Sequence, residues 1–133
     1  MIDPWKIINE LESNNSRLFK EDVIEKNLTY KNFQEGLAMC LDPLVTFGVK
    51  QVPDSEKDGD GLAWIDFKKG ANLLIEREKT GHAARDLIIE LMNSSTNSQW
   101  NDWYRRILIK DLRCGVSEKT VNHVAKRMDL KFR

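Results

Sequence analysis

Several features that would point directly to a function are scarce in this chain of 133 residues. It has two cysteines, Cys40 and Cys114, which lie far apart and form no C-x-x-C pair. We therefore expect two buried, idle thiols in a reducing compartment. No apolar run approaches the ~18–20 residues that a membrane span needs, and the first residues lack the basic and apolar regions of a secretory signal. The expected location is the cytoplasm, without membrane contact.

Recognisable sites of catalysis, nucleotide binding and metal binding are also missing. The phosphate-binding patterns G-x-G-x-x-G and G-x-x-x-x-G-K-[ST] do not occur, and no Ser-His-acid set stands out. His82 and His123 have no further ligands at a suitable spacing. The acidic loop 54–60 resembles a calcium loop, but Phe67 stands where the glutamate is required, six residues after Gly61. We predict no catalytic residue, cofactor or metal site in this chain.

The net charge of zero conceals a separation of the two signs along the chain. Residues 100–133 carry nine Lys or Arg and four Asp or Glu, a net charge of +5. Residues 1–99 carry twelve and seventeen, a net charge of −5. A basic end on a neutral chain indicates an anionic partner on one side only. Chance clustering on a solvated surface would give the same totals, so the motifs must decide.

Apolar residues recur at helical spacing along most of the chain, which predicts an all-α domain of about seven helices over residues 1–130. Residues 42–63 are the least ordered by composition, with two short strands expected at 44–49 and 62–65 and a linker at 93–98. The residues that we expect to begin or cap helices are Asp3, Ser16, Thr29, Asp66, His82 and Ser117.

The most informative stretch is an amphipathic helix predicted over 100–113. At about 100° per residue, Lys110 falls at about 40° from Arg106 and Arg113 at about 340°, so three cations share one narrow stripe. Trp103 lies beside the stripe and is the one aromatic residue that could stack on a base. The opposite, buried side carries Trp100, Tyr104, Ile107 and Leu108.

A glycine turn joins this helix to the last one. Gly115 is expected to have a positive φ, and Ser117 then caps a helix whose first amides point outward. A helix N-terminus reached through a glycine turn is a phosphate-binding arrangement. An ordinary helical hairpin fits the same residues equally well.

The segment 103–121 resembles the signature at the end of the N-terminal helical DNA-binding domain of ATP-dependent DNA ligases. That signature has an Arg, an apolar run, Lys-Asp-Leu, a basic residue and Gly-[apolar]-[Ser/Ala] before a final helix. Residues 78–84 are similar to the Thr-Gly-Asn-Ala-Ala segment of T-even-type phage ligases, and 7–11 and 24–27 also resemble that group. The matching signature positions are Arg106, Lys110, Asp111, Leu112, Arg113, Gly115 and Ser117.

The resemblance implies a domain that binds the minor groove of duplex DNA on both sides of a nick. Its partners would be nicked double-stranded DNA and the catalytic nucleotidyltransferase domain of the same enzyme, and we expect a monomer. If the protein is phage-encoded, the cytoplasm is that of the host. The predicted DNA-binding residues are Arg106, Lys110, Arg113, Gly115, Val116, Ser117 and Lys119, with Arg105, Lys126 and Arg127 as flanking contacts.

The chemistry of ligases requires a lysine nucleophile in a K-x-D-G motif, and no lysine here has that context. Lys57-Asp58-Gly59 is off by one residue. The resemblance therefore implies a non-catalytic part of an enzyme, with ATP and magnesium bound by a catalytic domain elsewhere and residues 131–133 beginning the connector to it.

Two other interpretations stay open at this point. The pair 100–113 and 118–128 could be the helix-turn-helix of a sequence-specific regulator, with Asn122, Lys126 and His123 as base-reading side chains. The chain could also be a helical protein-interaction module with a solvated basic edge. Preference for one duplex sequence would favour the regulator, and absence of DNA binding at low salt would favour the interaction module.

Overall fold

The computed structural model describes residues 3–132, and all regular secondary structure among those residues is helical, with no strand. The helices are α1 (Pro4–Glu12), α2 (Arg17–Asn27), α3 (Lys31–Leu41), α4 (Trp64–Ile75), α5 (Gly81–Ser94), α6 (Asn97–Gln99), a π-helical turn (Trp100–Tyr104), α7 (Arg105–Leu108) and α8 (Glu118–Arg127). The stretch from α6 to α7 is unbroken, so the described residues form seven helical rods. The all-α prediction is confirmed. None of these helices is long and apolar enough to cross a membrane. Met1, Ile2 and Arg133, which belong to the predicted domain and connector, lie outside the described residues.

Several helix starts follow from local sequence signals, as predicted. Asp3 is the N-cap of α1 and Pro4 its first residue, where the missing N–H costs nothing. The Ser16 hydroxyl accepts the N–H of Phe19 at the start of α2. Ser16 satisfies a backbone donor that the first turn leaves free, Pro4 has no such donor, and the Asp3 side chain makes no cap hydrogen bond.

Two predicted caps and both predicted strands are wrong. Tyr30 rather than Thr29 is the N-cap of α3, and α4 begins at Trp64, which places Asp66 in its first turn, where an acid is favourable. The stretch 44–63 contains no paired strand, and side chains bind several of its carbonyls. The guanidinium of Arg77 donates to Thr46 O at 3.0 Å, and that of Arg105 donates to Val52 O at 2.8 Å.

The core is centred on the aromatic side chains of the π-helical turn. Trp103 stacks on Phe33 with ring centroids 5.8 Å apart, and Tyr104 stacks on Phe67 at 4.1 Å. Gly36 on α3 allows the close approach, because a Cβ there would lie 2.2 Å from the Trp103 ring. The predicted burial of Trp100, Tyr104, Ile107 and Leu108 is confirmed. Trp103 is equally buried, so the suggestion that it stacks on a base is wrong.

The acidic loop at 54–60 is docked on the body rather than loosely ordered. The Asp58 carboxylate accepts the N–H of Asn97 at 2.8 Å, and the Gly59 N–H donates to Ser95 O at 2.9 Å. The neighbouring stretch 93–98, predicted to be a linker, contains the end of α5 and a capping box in which Thr96 and Gln99 bond reciprocally. The loop and the α5–α6 junction therefore fix each other.

Both cysteines are free and buried, as predicted. Burial raises the pKa of Cys40 to about 12 and that of Cys114 to about 11. Both thiols are therefore protonated at neutral pH and serve as small apolar side chains.

Candidate nucleic-acid interface

The helix that carries Arg106 ends earlier than predicted, which removes the basic stripe. α7 ends at Leu108, and Lys110 and Arg113 both have a positive φ, +58° and +55°. The Asp111 N–H donates to Arg106 O at 3.0 Å, a bond of the kind that closes a Schellman-type helix end. The continuous helix over 100–113 is therefore wrong, and the three cations do not share one face. The stop escaped prediction because lysine occupies the left-handed position that glycine usually takes.

The side chain of Arg106 is turned into the protein and is 13% exposed. It pairs with the carboxylate of Glu12 on α1 and lies 3.5 Å from that of Asp102 in the π-helical turn. It also donates to Leu112 O at 3.0 Å. Arg106 thus joins α1, the π-helical turn and the segment that follows α7.

Lys110 is engaged at the end of α3. Its ammonium donates to Met39 O at 2.9 Å and to Asp42 O at 2.8 Å, and it lies 5.8 Å from the centre of the Phe47 ring. Burial lowers the pKa of Lys110. A cation at these carbonyls satisfies acceptors that a helix C-terminus leaves unpaired.

The remaining predicted arginines differ in their exposure. Arg105 is 15% exposed and pairs with Asp54 at 3.3 Å. Arg127 on α8 pairs with Glu25 at 3.1 Å and with Glu21 at 3.3 Å, both on α2. Arg113 is exposed on the far side of the turn. None of these three lines the groove described next.

A groove of about 540 Å³ lies between the start of α2, the Gly115 turn and α8, and we call it the α2–α8 groove. None of the described residues that line it is acidic, and its charged lining residues are all Lys or Arg. Its lining residues are Asn15, Arg17, Lys20, Gly115, Ser117, Lys119, Thr120, Asn122, His123 and Lys126.

Gly115 shapes one wall of this groove. Its φ of +72° confirms the predicted left-handed turn. Lys20 on α2 donates to Cys114 O at 2.8 Å, and a Cβ on Gly115 would lie 2.4 Å from the Lys20 ammonium. Glycine is therefore needed twice, for the backbone angle and for the close approach of a charged group. Lys20 is 94 residues from Cys114, so no local pattern indicated it.

The opposite wall is the first turn of α8. The Ser117 hydroxyl accepts the N–H of Thr120 at 3.3 Å, which confirms the predicted cap. Lys119 and Thr120 line the groove, so the positive end of the α8 dipole borders it. Val116 is half-buried and packs against the core, which fixes the turn beneath this helix end.

One buried carboxylate holds the two walls together. Glu21 on α2 is 5% exposed and accepts from Arg17 at 2.9 Å and from Arg127 on α8 at 3.3 Å. The hydrogen bond from Arg17 lowers the pKa of Glu21 below its usual value. Arg17 remains 76% exposed while its position is set by this bond. It is a second groove residue that the sequence alone did not indicate.

The structure brings together only part of the predicted set. Gly115, Ser117, Lys119 and Lys126 line the α2–α8 groove, where Arg17 and Lys20 join them. DNA contact by Arg105, Arg106, Lys110 and Arg127 stays a prediction, and all four side chains are already engaged within the protein. Among residues 3–132, no group of three or more His, Cys, Asp or Glu is placed to hold a metal ion.

Comparison with known proteins gives matches among solved structures. No protein-family model matches the chain, and no curated protein matches it. A structure named Pmar-Lig_Pre. has 51% sequence identity and a TM-score of 0.94, covering 97% of this chain and 30% of that chain. A structure named Pmar-Lig_PreS3 has 53% identity and a TM-score of 0.91, covering 97% and 31%.

The chain therefore spans less than a third of the length of the two structures. Their names indicate ligase-related proteins. Over nearly its whole length, the chain shares the fold and about half of the residues of one part of such proteins.

Proposed function

We propose that this chain is the DNA-binding domain of an ATP-dependent DNA ligase and binds nicked duplex DNA through its phosphate backbone and minor groove, independently of sequence. The α2–α8 groove carries this proposal: a concave surface with four Lys or Arg side chains, no acid among its described lining residues, and a helix N-terminus at its edge. Likeness to the two ligase-named structures supports it.

In this proposal a backbone phosphate binds between the Gly115 turn and the first turn of α8. Lys20 lies on one side of it and Lys119 on the other, and charge-assisted hydrogen bonds from such groups are roughly twice as strong as neutral ones. Arg17 and Lys126 lie along the same groove and contact neighbouring phosphates. Phosphate contacts carry no base information, which suits an enzyme that must act on nicks in any sequence.

The inward-facing cations have a supporting role in the same proposal. Arg106 and Lys110 fix the segment between α7 and the Gly115 turn, so that the turn presents its backbone to the groove. Arg113 lies outside the α2–α8 groove, and its contact with DNA stays a prediction from the sequence. The K-x-D-G nucleophile, ATP and magnesium belong to a catalytic domain outside this chain, which acts as a monomer in nick sealing during replication and repair, in the cytoplasm.

The test is fluorescence anisotropy with labelled nicked duplex, intact duplex and single strand over a range of salt. About four phosphate contacts give a log–log slope near −3.6, or roughly a hundredfold weaker binding at 200 than at 50 mM salt. The double variant Lys119→Gln with Lys126→Gln removes two contacts and should make the slope less steep by about 1.8. Both side chains are exposed, so the fold should be unaffected.

Lys57→Gln with Lys79→Gln is the matched control, since it removes the same charge from exposed positions outside the groove. It should leave the slope nearly unchanged. Equal slopes for the two double variants would reject the groove as the phosphate site. Flat salt dependence of the unmodified chain would reject DNA binding itself and favour a protein-interaction module.

A second candidate is the sequence-specific regulator, because Asn122 and His123 on α8 line the groove beside Lys126. Amide and imidazole groups can read base edges if α8 enters the major groove. A panel of intact duplexes of different sequence separates the two proposals. Strong preference for one duplex would favour the regulator, and equal affinities favour the ligase domain.

A further inference from the structure

A second groove lies between the extended stretch 50–53, α5 and the residues that follow α7, with a volume of about 690 Å³. Its floor is apolar. Val52 and Ile88 are buried there, Ile109 is half-buried, and Ile89 remains 38% exposed. We call it the α5 groove.

Exposed cations surround this apolar floor. Lys50, Arg85 and Arg113 line the groove, and no acidic side chain in residues 3–132 forms an ion pair with any of them. The one acid in the lining, Asp111, accepts the backbone N–H of Arg113 at 3.0 Å. The cations are therefore free to pair with groups on another molecule.

We propose that the α5 groove binds an acidic peptide segment of a separate protein, with apolar side chains on the floor and carboxylates against Lys50, Arg85 and Arg113. The apolar floor and the surrounding cations together favour this partner. A DNA backbone would pair with the cations, but it presents no aliphatic side chain to cover Ile89 and Ile109. A neutral apolar peptide would leave the cations unpaired. Complementary charge at the edge speeds encounter, and apolar contact supplies most of the affinity.

The experiment uses the 133-residue chain and three series of labelled synthetic peptides. The first series combines Asp and Glu with Leu and Ile at varied spacing. In the second, Ser replaces the apolar residues, and in the third, Lys replaces the acids. Binding is followed by anisotropy at low salt, and amide chemical shifts locate the bound peptide on the chain. We expect saturable binding only in the first series, with shifts confined to 50–53, 85–89 and 109–113.

Two variants test the two chemistries separately. Ile89→Ser removes apolar contact without changing the charge and should weaken peptide binding about tenfold. Arg85→Gln removes one exposed charge and should weaken it about twofold to fivefold. Leu44→Ser, at an apolar side chain that is 84% exposed and outside the groove, is the matched control and should have no effect.

The proposal is overturned if no peptide of the first series binds saturably, or if Ile89→Ser and Leu44→Ser bind the peptides equally. It is also overturned if Arg85→Gln weakens nicked-duplex binding while Ile89→Ser changes neither ligand, because the groove would then be part of a phosphate-binding surface. Failure of the DNA-binding proposal would leave these peptide results unaffected, since the α2–α8 groove is not involved.

Discussion

Two basic regions that are adjacent in the sequence direct their charges in opposite ways. In the segment 105–113, Arg105, Arg106 and Lys110 bind carboxylates and carbonyls of the protein itself. In the α2–α8 groove, Lys119 and Lys126 extend into solvent. The charges are similar, but the acceptors within reach differ. Lys110 follows the end of α7 and reaches back to the carbonyls at the end of α3, whereas Lys119 and Lys126 lie on the exposed face of α8.

The largest effect that tests this comparison is expected for Arg106→Ala. The change removes a mostly buried guanidinium from two carboxylates, Glu12 and Asp102, and from Leu112 O. Allowing for partial exposure of both acids, we expect a loss of about 2–3 kcal/mol in the free energy of unfolding. Urea denaturation measures it, with Arg113→Ala as the matched control, because that exposed side chain should contribute less than about 0.5 kcal/mol.

The same two variants could also contradict the conclusion that the cations of 105–113 face inward. If Arg106→Ala unfolds at the same urea concentration as Arg113→Ala but binds nicked duplex more weakly, Arg106 contacts phosphate. The segment 105–113 would then face outward like the groove, as the sequence pattern predicts.

A smaller loss in the free energy of unfolding is expected for Gly115→Ala, which tests the cations of the groove. A left-handed φ costs a non-glycine residue about 1–2 kcal/mol, and the new methyl group would displace the Lys20 ammonium. Gly81→Ala is the matched control, because Gly81 has a φ of +54° with nothing within 4 Å of its added Cβ. Both variants should lose similar stability in urea denaturation.

DNA binding should separate the two glycine variants. Only Gly115→Ala should weaken nicked-duplex affinity, because only there does the methyl group disturb a groove cation. Equal affinities for the two variants would show that the position of Lys20 does not matter for binding.

The parts of the fold that the sequence predicts are those fixed within one or two turns of chain. The caps at Ser16 and Ser117 and the positive φ of Gly115 are examples, because each depends on bonds to residues close by. The end of α7 could not be predicted in this way. Its left-handed residue is Lys110, and lysine carries no local stop signal.

Residues of the groove that are distant in the sequence could not be predicted either. The Gly115 turn, the Ser117 cap and the position of Lys119 follow from local sequence signals. Lys20 and Arg17 reach the groove only because α2 packs on α8, a contact between residues far apart in the sequence that Glu21 bridges through Arg127. Charge patterns therefore predict a basic surface here but not the part of it that α2 contributes.

The smallest expected effect concerns this carboxylate and is seen in the pH dependence of stability. Because the pKa of Glu21 is lower in the folded chain than its ordinary value of 4.5, the stabilisation is fully present above pH 4.5 and is lost as the pH falls through the lowered pKa. Urea midpoints on either side of pH 4.5 should fall more steeply for the unmodified chain than for Glu21→Gln. Arg17→Gln, which removes the principal donor, should bring the loss closer to pH 4.5. Identical pH profiles for all three proteins would show that Arg17 does not help to join the walls of the groove. Arg17 would then belong, like Lys119 and Lys126, with the cations that face solvent rather than with those that bind groups of the protein.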